Sequence, residues 1–271
     1  MAGSPHSEII AVLTELYSLL VQLAAISDSL LVLPSPETGL HAPNAINTAA
    51  AKAAGYTEGT VAVMCALPYL DVGMHEYDVE LLPNTYPVSY LGSDVDRDGF
   101  NGQRDMLEGK QMPPTAVKLT WAERRDGTEF IYDTATQLVI PWNPVENPDE
   151  VDDYSHVPAV SPREAFGPLI KEYRSLNYLG APNGMEFNEE LFSESGGEAP
   201  ADWGLESARR WRMQYDEWFA VRKLKAIYLE CGWDPDAVEQ IDFRRSEFLQ
   251  ERGKYWREEV EDVIARNDFT R

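Results

Sequence analysis

The stretch Val117-Lys-Leu-Thr-Trp121 alternates apolar and polar side chains, and two apolar runs follow it, Phe130-Ile-Tyr132 and Leu138-Val-Ile140. Alternation with a period of two is typical of a half-buried strand, and β-branched and aromatic residues favour strands as well. The turn Arg125-Asp-Gly127 separates the first two segments, and the loop Asp133-Thr-Ala-Thr-Gln137 separates the second from the third. Together they predict a three-stranded antiparallel meander.

Helices are predicted on both sides of this meander. The first spans residues 7–28, and its apolar side chains recur at three- and four-residue steps: Ile9, Val12, Leu13, Leu16, Leu20 and Leu23. Shorter helices fit residues 44–54, 57–67 and 161–177. Two long helices, 205–231 and 235–266, are joined by the tight turn Gly232-Trp-Asp-Pro235 and predict an antiparallel hairpin. The order of elements indicates an α+β fold that ends in a helical hairpin.

This order also suggests how the chain divides. Residues 1–180 are predicted to form the α+β domain, and residues 181–204 an acidic linker rich in Gly and Pro without Lys or Arg. Residues 205–271 are predicted to form the hairpin. That hairpin either packs on the first domain or stands alone, and its aromatic helices would also serve as a homodimer interface.

The formal charge of −23 is distributed unevenly along the chain. Residues 1–208 contain 10 Lys and Arg against 32 Asp and Glu, whereas residues 209–271 contain 13 against 14. An acidic surface repels nucleic-acid phosphates and anionic lipids, so neither nucleic acid nor membrane is an expected partner. A basic protein is the electrostatically favoured partner.

The compartment follows from the cysteines and the apolar segments. Cys65 and Cys231 are too few for a disulfide framework, which is typical of a reducing compartment. The longest apolar stretch, residues 9–33, is interrupted by several polar side chains and therefore predicts a buried helix rather than a membrane span. No basic residue precedes it, as a secretory signal would require. The expected location is cytoplasmic.

The segment from Asp94 to Asp105 has the spacing of a calcium-binding loop. Asp94, Asp96 and Asp98 stand at alternate positions, Gly99 follows, and Asp105 occupies the twelfth position. Carboxylates with this spacing fold around one Ca²⁺, and a backbone carbonyl, here that of Phe100, completes the set. The alternative is an acidic turn, because Asp and Gly favour turns for local reasons. The cofactor is thus either none or calcium.

Two further sets of carboxylates are candidates for function. Asp133, between two predicted strands and next to Tyr132, is the first candidate for an acid–base group with a raised pKa in a pocket. The segment 143–162 is rich in Pro and has no Lys or Arg. Its carboxylates predict a contact patch for a basic partner: Glu146, Asp149, Glu150, Asp152 and Asp153.

The central third of the chain resembles the SUKH superfamily, which is named for a fungal cell-wall-synthesis regulator and includes bacterial toxin-immunity proteins. The resemblance covers about residues 43–180 and gives the chain the look of a filamentous-fungal member. It rests on Leu67-Pro-Tyr69, on the strand pair Glu129-Phe-Ile-Tyr-Asp133 and Leu138-Val-Ile-Pro-Trp142, and on Ala165-Phe-Gly-Pro-Leu-Ile170. It implies an α+β protein-binding module without a defined catalytic constellation.

These observations favour an acidic, cytoplasmic protein-binding module. The sequence contains no nucleophile elbow, no phosphate-binding glycine loop and no paired cysteine motif. Whether the protein is an enzyme stays open. Two alternatives remain: a small-molecule enzyme that uses pocket carboxylates for acid–base catalysis, and a calcium-dependent binding module.

Overall fold

The computed structural model of the chain describes residues 5–72, 79–105, 111–122, 127–143, 154, 157–179 and 205–260. These residues form helices and small antiparallel sheets, which confirms the predicted α+β class. No helix in this described part is both long and apolar enough to cross a membrane. The helices are α1 (Ser7–Gln22), α2 (Thr48–Ala53), α3 (Glu58–Met64), α4 (Arg97–Arg104), α5 (Pro162–Arg174), α6 (Leu205–Glu230) and α7 (Arg245–Tyr255).

The strands are short and pair into three antiparallel sheets. They are β1 (Leu31–Val32), β2 (Tyr69–Leu70), β3 (Thr85–Pro87), β4 (Ala116–Lys118), β5 (Thr120–Ala122), β6 (Glu129–Asp133) and β7 (Leu138–Trp142). The sheet orders are β1-β2, β3-β5 and β4-β6-β7.

The chain divides into two compact units. Unit 1 consists of Met1–Val21 and Ile26–Lys171, and unit 2 of Gln22–Ala25 and Glu172–Arg271. The predicted domain limit at residue 180 and the predicted linker, 181–204, lie outside the described residues.

Helix α1 begins at the predicted residue but ends at Gln22, before the predicted end at residue 28. Ala24 has a φ of 53°, in the left-handed region, which terminates the helix. A separate 3₁₀ turn, Asp28–Leu30, follows, and the Ser27 side chain caps it by accepting from the N–H of Ser29. The predicted apolar face is confirmed, because six of its side chains are buried: Ile9, Val12, Leu13, Leu16, Leu20 and Leu23.

Helices α2 and α3 each begin at a side-chain cap. Asn47 accepts a hydrogen bond from the N–H of Ala50, and Thr57 accepts one from the N–H of Thr60, both at 3.1 Å. Gly55, at a φ of +94°, ends α2 by the left-handed conformation that glycine adopts without strain. The composition of both segments, with a capping residue in front, therefore accounts for their helical structure.

The buried side chain of Arg104 holds α4 against α2. Its guanidinium donates from Nη1 to the carbonyl of Ala54, the C-cap of α2, and from Nη2 to the carbonyl of Met112 at 2.7 Å. Its Cζ lies 5.3 Å from the centroid of the Tyr56 ring. The positive charge thus meets the carbonyl at the end of α2, a loop carbonyl and an aromatic face, all of which stabilise a buried cation.

The predicted meander is confirmed as the β4-β6-β7 sheet. Its register pairs Val117 with Tyr132, and Tyr132 with Val139. The first predicted strand is divided in two, because the hydroxyl of Thr120 accepts from the N–H of Phe130 at 2.8 Å. β5 pairs instead with β3, which precedes the Asp94 segment in the chain, as a second antiparallel pair.

Side chains on both faces of the meander are buried. On one face the rings of Phe130 and Phe166 lie 4.7 Å apart between centroids, which packs the sheet against α5. The opposite face carries an apolar cluster that includes Ile131 and Trp142, together with Met112, Ala116 and Tyr154. A strand with both faces buried differs from the half-buried strand that the alternation predicts.

Unit 2 is built around α6 and α7. Helix α6 ends in a Schellman motif, in which the N–H of Trp233 donates to Tyr228 and the N–H of Gly232 donates to Leu229. Gly232 has a φ of +89° there. The ring of Tyr228 stacks on Phe248 of α7 at 3.9 Å, so the predicted contact between the two long helices is present.

The second long helix begins at Arg245, so its predicted start at residue 235 is wrong. Gln240 accepts from the N–H of Asp234 and donates to the carbonyls of Asp234 and Ala237, which holds residues 234–240 in a non-helical loop. Such side-chain bonds to the backbone compete with helix formation. The predicted end at residue 266 lies outside the described residues.

Candidate functional site

The segment predicted to bind calcium folds largely into helix α4. Asp96 is its N-cap, and Oδ1 of Asp96 accepts from the N–H groups of Asp98 at 3.1 Å and Gly99 at 2.9 Å. A carboxylate in this position satisfies two of the free N–H groups at a helix start and interacts favourably with the helix dipole. Asp96 therefore has a structural role in the metal-free protein.

The other proposed ligands are distributed around this helix. Asp94, Asp98 and Asp105 are exposed, whereas Phe100 is fully buried and stacks on Tyr90 at 6.0 Å. Among the described residues, no three His, Cys, Asp or Glu side chains form a group that could hold a metal ion. A calcium loop takes its ligands from alternate residues of an irregular turn, which a helix from Arg97 onwards does not provide. The calcium interpretation stays a prediction.

Substitutions of Asp96 and Asp94 distinguish helix capping from calcium binding. In metal-stripped protein, Asp96→Ala should lower the free energy of unfolding by about 1 kcal/mol, because the N-cap is lost. Asp94→Ala should leave that stability nearly unchanged, since its carboxylate does not cap the helix. Thermal unfolding followed by circular dichroism measures both effects.

The same experiment with millimolar calcium tests the metal. A site whose Kd is a hundredfold below the added concentration would stabilise the parent by about 2.7 kcal/mol. Loss of that gain in both variants, with magnesium inactive, would establish a calcium site. An equal calcium effect in the parent and in Asp94→Ala would show that the segment is only a capped turn.

Asp133 lies at the end of β6, where its carboxylate organises the turn to β7. Oδ1 accepts from the N–H of Ala135 at 3.1 Å, and Oδ2 accepts from Oγ1 of Thr136 at 2.9 Å. Partial burial acts to raise the pKa of Asp133, but hydrogen bonds from Thr115, Ala135 and Thr136 outweigh it and lower the pKa. The pKa of Asp133 is thus lowered, whereas a proton-donating pocket carboxyl needs a raised pKa. Asp133 as the candidate acid–base carboxylate stays a prediction. An ionised Asp133 is a hydrogen-bond acceptor.

A network of threonine hydroxyls adjoins this turn. Oγ1 of Thr60, fully buried, donates to the carbonyl of Pro114 and lies 2.7 Å from Oγ1 of Thr57 and 3.1 Å from Oγ1 of Thr134. Thr134 donates in turn to the carbonyl of Thr115. The network joins the start of α3 to the turn after β6, next to Asp133.

Tyr132, the neighbour of Asp133, is bound on the opposite face of the sheet. Its hydroxyl lies 2.7 Å from Nδ1 of His6. Burial, with smaller contributions from Asp133 and Glu8, raises the pKa of Tyr132 to about 12, and burial lowers the pKa of His6. Tyr132 and Asp133 therefore do not form one catalytic pair.

Sequence reasoning missed a buried ion pair between neighbouring strands. Nζ of Lys118, on β4, lies 3.1 Å from a carboxylate oxygen of Glu129, on β6, and the two side chains are only 8% and 13% exposed. The register places Lys118 opposite Ile131 and Glu129 opposite Trp142, all on the face that carries the apolar cluster. Opposite charges at polar positions of two predicted neighbouring strands were the signal that could have revealed this pair.

The indole N–H of Trp142 is also buried on this face and has no hydrogen-bond partner among the described residues. Buried charges and polar groups in a sheet lower the stability of the folded protein unless they are paired. The Lys118–Glu129 pair is the most desolvated pair of opposite charges that the described residues show.

The predicted contact patch lies outside the described residues. This holds for each of its carboxylates: Glu146, Asp149, Glu150, Asp152 and Asp153. On either side of the patch the structure describes strand β7, which ends at Trp142, and helix α5, which begins at Pro162.

Fold and composition together define a strongly acidic α+β protein. Comparison of the chain with protein-family models, with curated proteins and with solved structures finds no match in any of the three.

Proposed function

We propose that this protein is an acidic binding module that recognises a basic protein partner through one acidic patch within its strongly acidic first 208 residues. The observation that carries the proposal is the charge distribution, 32 acidic against 10 basic residues in that part of the chain. Exposed carboxylates accelerate the encounter with a cationic surface and set its orientation. The patch from Glu146 to Asp153 is the proposed contact, because it is the densest acidic run without a basic residue.

Two further considerations support a binding role. The resemblance to the SUKH superfamily implies protein recognition rather than catalysis. The one carboxyl proposed for acid–base work, Asp133, has a lowered pKa and is engaged in a turn. Both cysteines are free thiols, so a reducing compartment, the cytoplasm, is part of the proposal.

The test is a comparison of two variants that lose the same charge. One variant neutralises the proposed patch, and the other neutralises five exposed carboxylates elsewhere. The patch variant carries Glu146→Gln, Asp149→Asn, Glu150→Gln, Asp152→Asn and Asp153→Asn, and the control carries Asp28→Asn, Glu37→Gln, Glu58→Gln, Asp71→Asn and Asp98→Asn.

A partner is captured at low salt from the native extract, purified, and titrated against each variant by calorimetry. Exposed charge pairs contribute up to about 1 kcal/mol each, so the patch variant should bind about tenfold more weakly or worse. Affinity for the parent should fall as ionic strength rises. If both variants lost the same affinity, net charge rather than the patch would determine binding. An affinity that does not depend on salt would contradict the proposal.

A further inference from the structure

The loop between α6 and α7, residues 231–244, is closed at its base. The N–H of Arg244 donates to the carbonyl of Cys231 at 2.8 Å, and Nη2 of Arg244 donates to the carbonyl of Glu230 at 2.6 Å. A Cβ on Gly232 would lie 2.5 Å from the carbonyl oxygen of Asp242, so the two ends of the loop run side by side. A compact surface loop whose ends meet in this way is an Ω-loop, and such loops frequently carry function.

Two aromatic side chains anchor this Ω-loop in unit 2. Trp233 is buried, and its Nε1 donates to the carbonyl of Arg174 at 2.9 Å. The ring of Phe243 lies edge-on to Trp233 at 5.2 Å and 5.5 Å from the ring of Phe248, on α7. Between the two anchors, the Gln240 side chain bonds to the backbone of residues 234 and 237. A loop that is held at its base, its anchors and its middle loses little conformational entropy when it docks.

The Ω-loop exposes two apolar side chains between its anchors. Val238 is 72% exposed and Ile241 is 83% exposed, the highest values among the large apolar side chains that the structure describes. Single exposed apolar side chains are common on protein surfaces, but here two occur three residues apart in a loop of fixed conformation. A partner that covered both would gain from removing their apolar surface from water.

The charge around the two apolar side chains is entirely negative. Between Lys225 and Arg244 the chain has five acidic residues and no basic one, whereas the other residues of 209–271 include 13 basic against nine acidic ones. The acidity of this part of the chain is therefore concentrated at the Ω-loop. Four exposed carboxylates, the acidic rim, flank the apolar pair: Asp234, Asp236, Glu239 and Asp242.

We infer that the Ω-loop docks into a protein partner whose apolar pocket is bordered by lysine or arginine side chains. The pocket covers Val238 and Ile241, and its basic border meets the acidic rim, which complements it in charge. A second copy of this chain fits less well, because it carries the same net charge of −23 and repels the rim. The inference rests on the proposed function in one respect, the basic character of the partner, and assigns it a contact in another part of the chain.

The experiment uses the partner that the full chain captures at low salt, titrated by calorimetry. The double variant Val238→Ser/Ile241→Ser should bind it about tenfold more weakly or worse, because the apolar contact at the centre of the interface is lost. The matched control is Leu33→Ser/Leu40→Ser, whose side chains are 48% and 44% exposed, and it should bind like the parent. Methyl NMR of the parent should show shifts at Val238 and Ile241 when the partner is added.

Neutralising the acidic rim tests the charge complementarity. The rim variant should bind more weakly and with a smaller salt dependence than the parent, whereas its control should lose less affinity. The rim variant carries Asp236→Asn, Glu239→Gln and Asp242→Asn, and the control carries the same change of charge at exposed positions of unit 1, Asp28→Asn, Glu37→Gln and Glu58→Gln.

The salt dependence separates this inference from the proposed patch at Glu146 to Asp153. The loss caused by Val238→Ser/Ile241→Ser should be the same at low and high salt, because an apolar contact is not screened. The loss in the patch variant should shrink as salt rises. A double serine variant that loses affinity beside a patch variant that does not would contradict the patch and support the inference. The reverse result would overturn the inference alone.

The conformation of the loop gives an independent readout. Gln240→Ala should speed hydrogen exchange at the Asp234 amide and weaken binding, although it leaves Val238 and Ile241 in place. Far-UV circular dichroism should be unchanged in the double serine and rim variants, since their altered side chains are exposed. A parent that captures no protein would overturn the inference. Self-association of the parent that the double serine variant abolishes would also overturn it, because the occupant would then be a second copy.

Discussion

Replacement of Lys118 by methionine is expected to lower the free energy of unfolding by about 3–5 kcal/mol, because it leaves the carboxylate of Glu129 buried without its partner. The two side chains are 8% and 13% exposed, so water cannot replace the lost ammonium group. Methionine keeps most of the volume of lysine, and the loss therefore reports the charge rather than a cavity. Urea unfolding followed by circular dichroism measures it.

A second substitution and a surface pair provide the controls. The double variant Lys118→Met/Glu129→Leu should recover most of the lost stability, since apolar pairs often replace a buried ion pair at little cost. Lys52→Met removes the pair with Glu58, whose side chains are 49% and 87% exposed, and should cost less than about 1 kcal/mol. If Lys118→Met were as mild as Lys52→Met, the strand pair would not be desolvated as the structure indicates.

The same ion pair shows which features of the meander can be predicted from the sequence and which cannot. Alternation around Val117, together with the two apolar runs after it, was enough to predict the strands, their order and the loop after Asp133. It also implied that Lys118 faces water, because a period of two marks one face as apolar and the other as solvated. Met112 and Tyr154 cover that second face, and they come from segments too distant in sequence for any local pattern to place them.

The Asp94 segment shows a different limit of prediction from sequence, because one pattern of residues fits two structures. Carboxylates at alternate positions followed by glycine satisfy a calcium shell. One carboxylate immediately ahead of a helix satisfies an N-cap, because it accepts from the N–H groups two and three residues further on. Asp96 fits both patterns, and only the backbone conformation distinguishes them. In the structure Phe100 is the deciding residue, since its burial against Tyr90 favours the helix that places it there.

The predicted start of the last helix, at residue 235 rather than Arg245, is wrong for a related reason. Pro235 is favourable at the first position of a helix, and the residues after it have ordinary helix propensity. The bonds of Gln240 back to Asp234 and Ala237 prevent this helix, and they depend on a loop closure that local propensity does not describe. The end of α6 at Glu230, shortly before Gly232, was predictable, because the motif that terminates it is local.

Gly127→Ala is expected to destabilise unit 1 by about 3 kcal/mol or more, through overpacking against backbone that cannot move away. A Cβ on Gly127 would lie 2.1 Å from the carbonyl oxygen of Asn84 and 2.6 Å from Cβ of Ala122. The neighbouring Thr128 donates its N–H to the hydroxyl of Thr85 at 2.9 Å, which fixes the two segments at this separation. Relief of the clash therefore requires the β3 and β5 strands to separate.

Gly102→Ala is the matched control, because it adds the same methyl group in α4 with no atom within 4 Å. That change should stabilise the protein by about 0.5–1 kcal/mol, since alanine has the higher helix propensity. Urea unfolding of both variants, with hydrogen exchange of the β3 and β5 amides, locates the effect. If Gly127→Ala lowered the free energy of unfolding only slightly and the β3 amides stayed protected from hydrogen exchange, Asn84 would have to move freely. The close approach of the two strands would then not be what keeps glycine at this position.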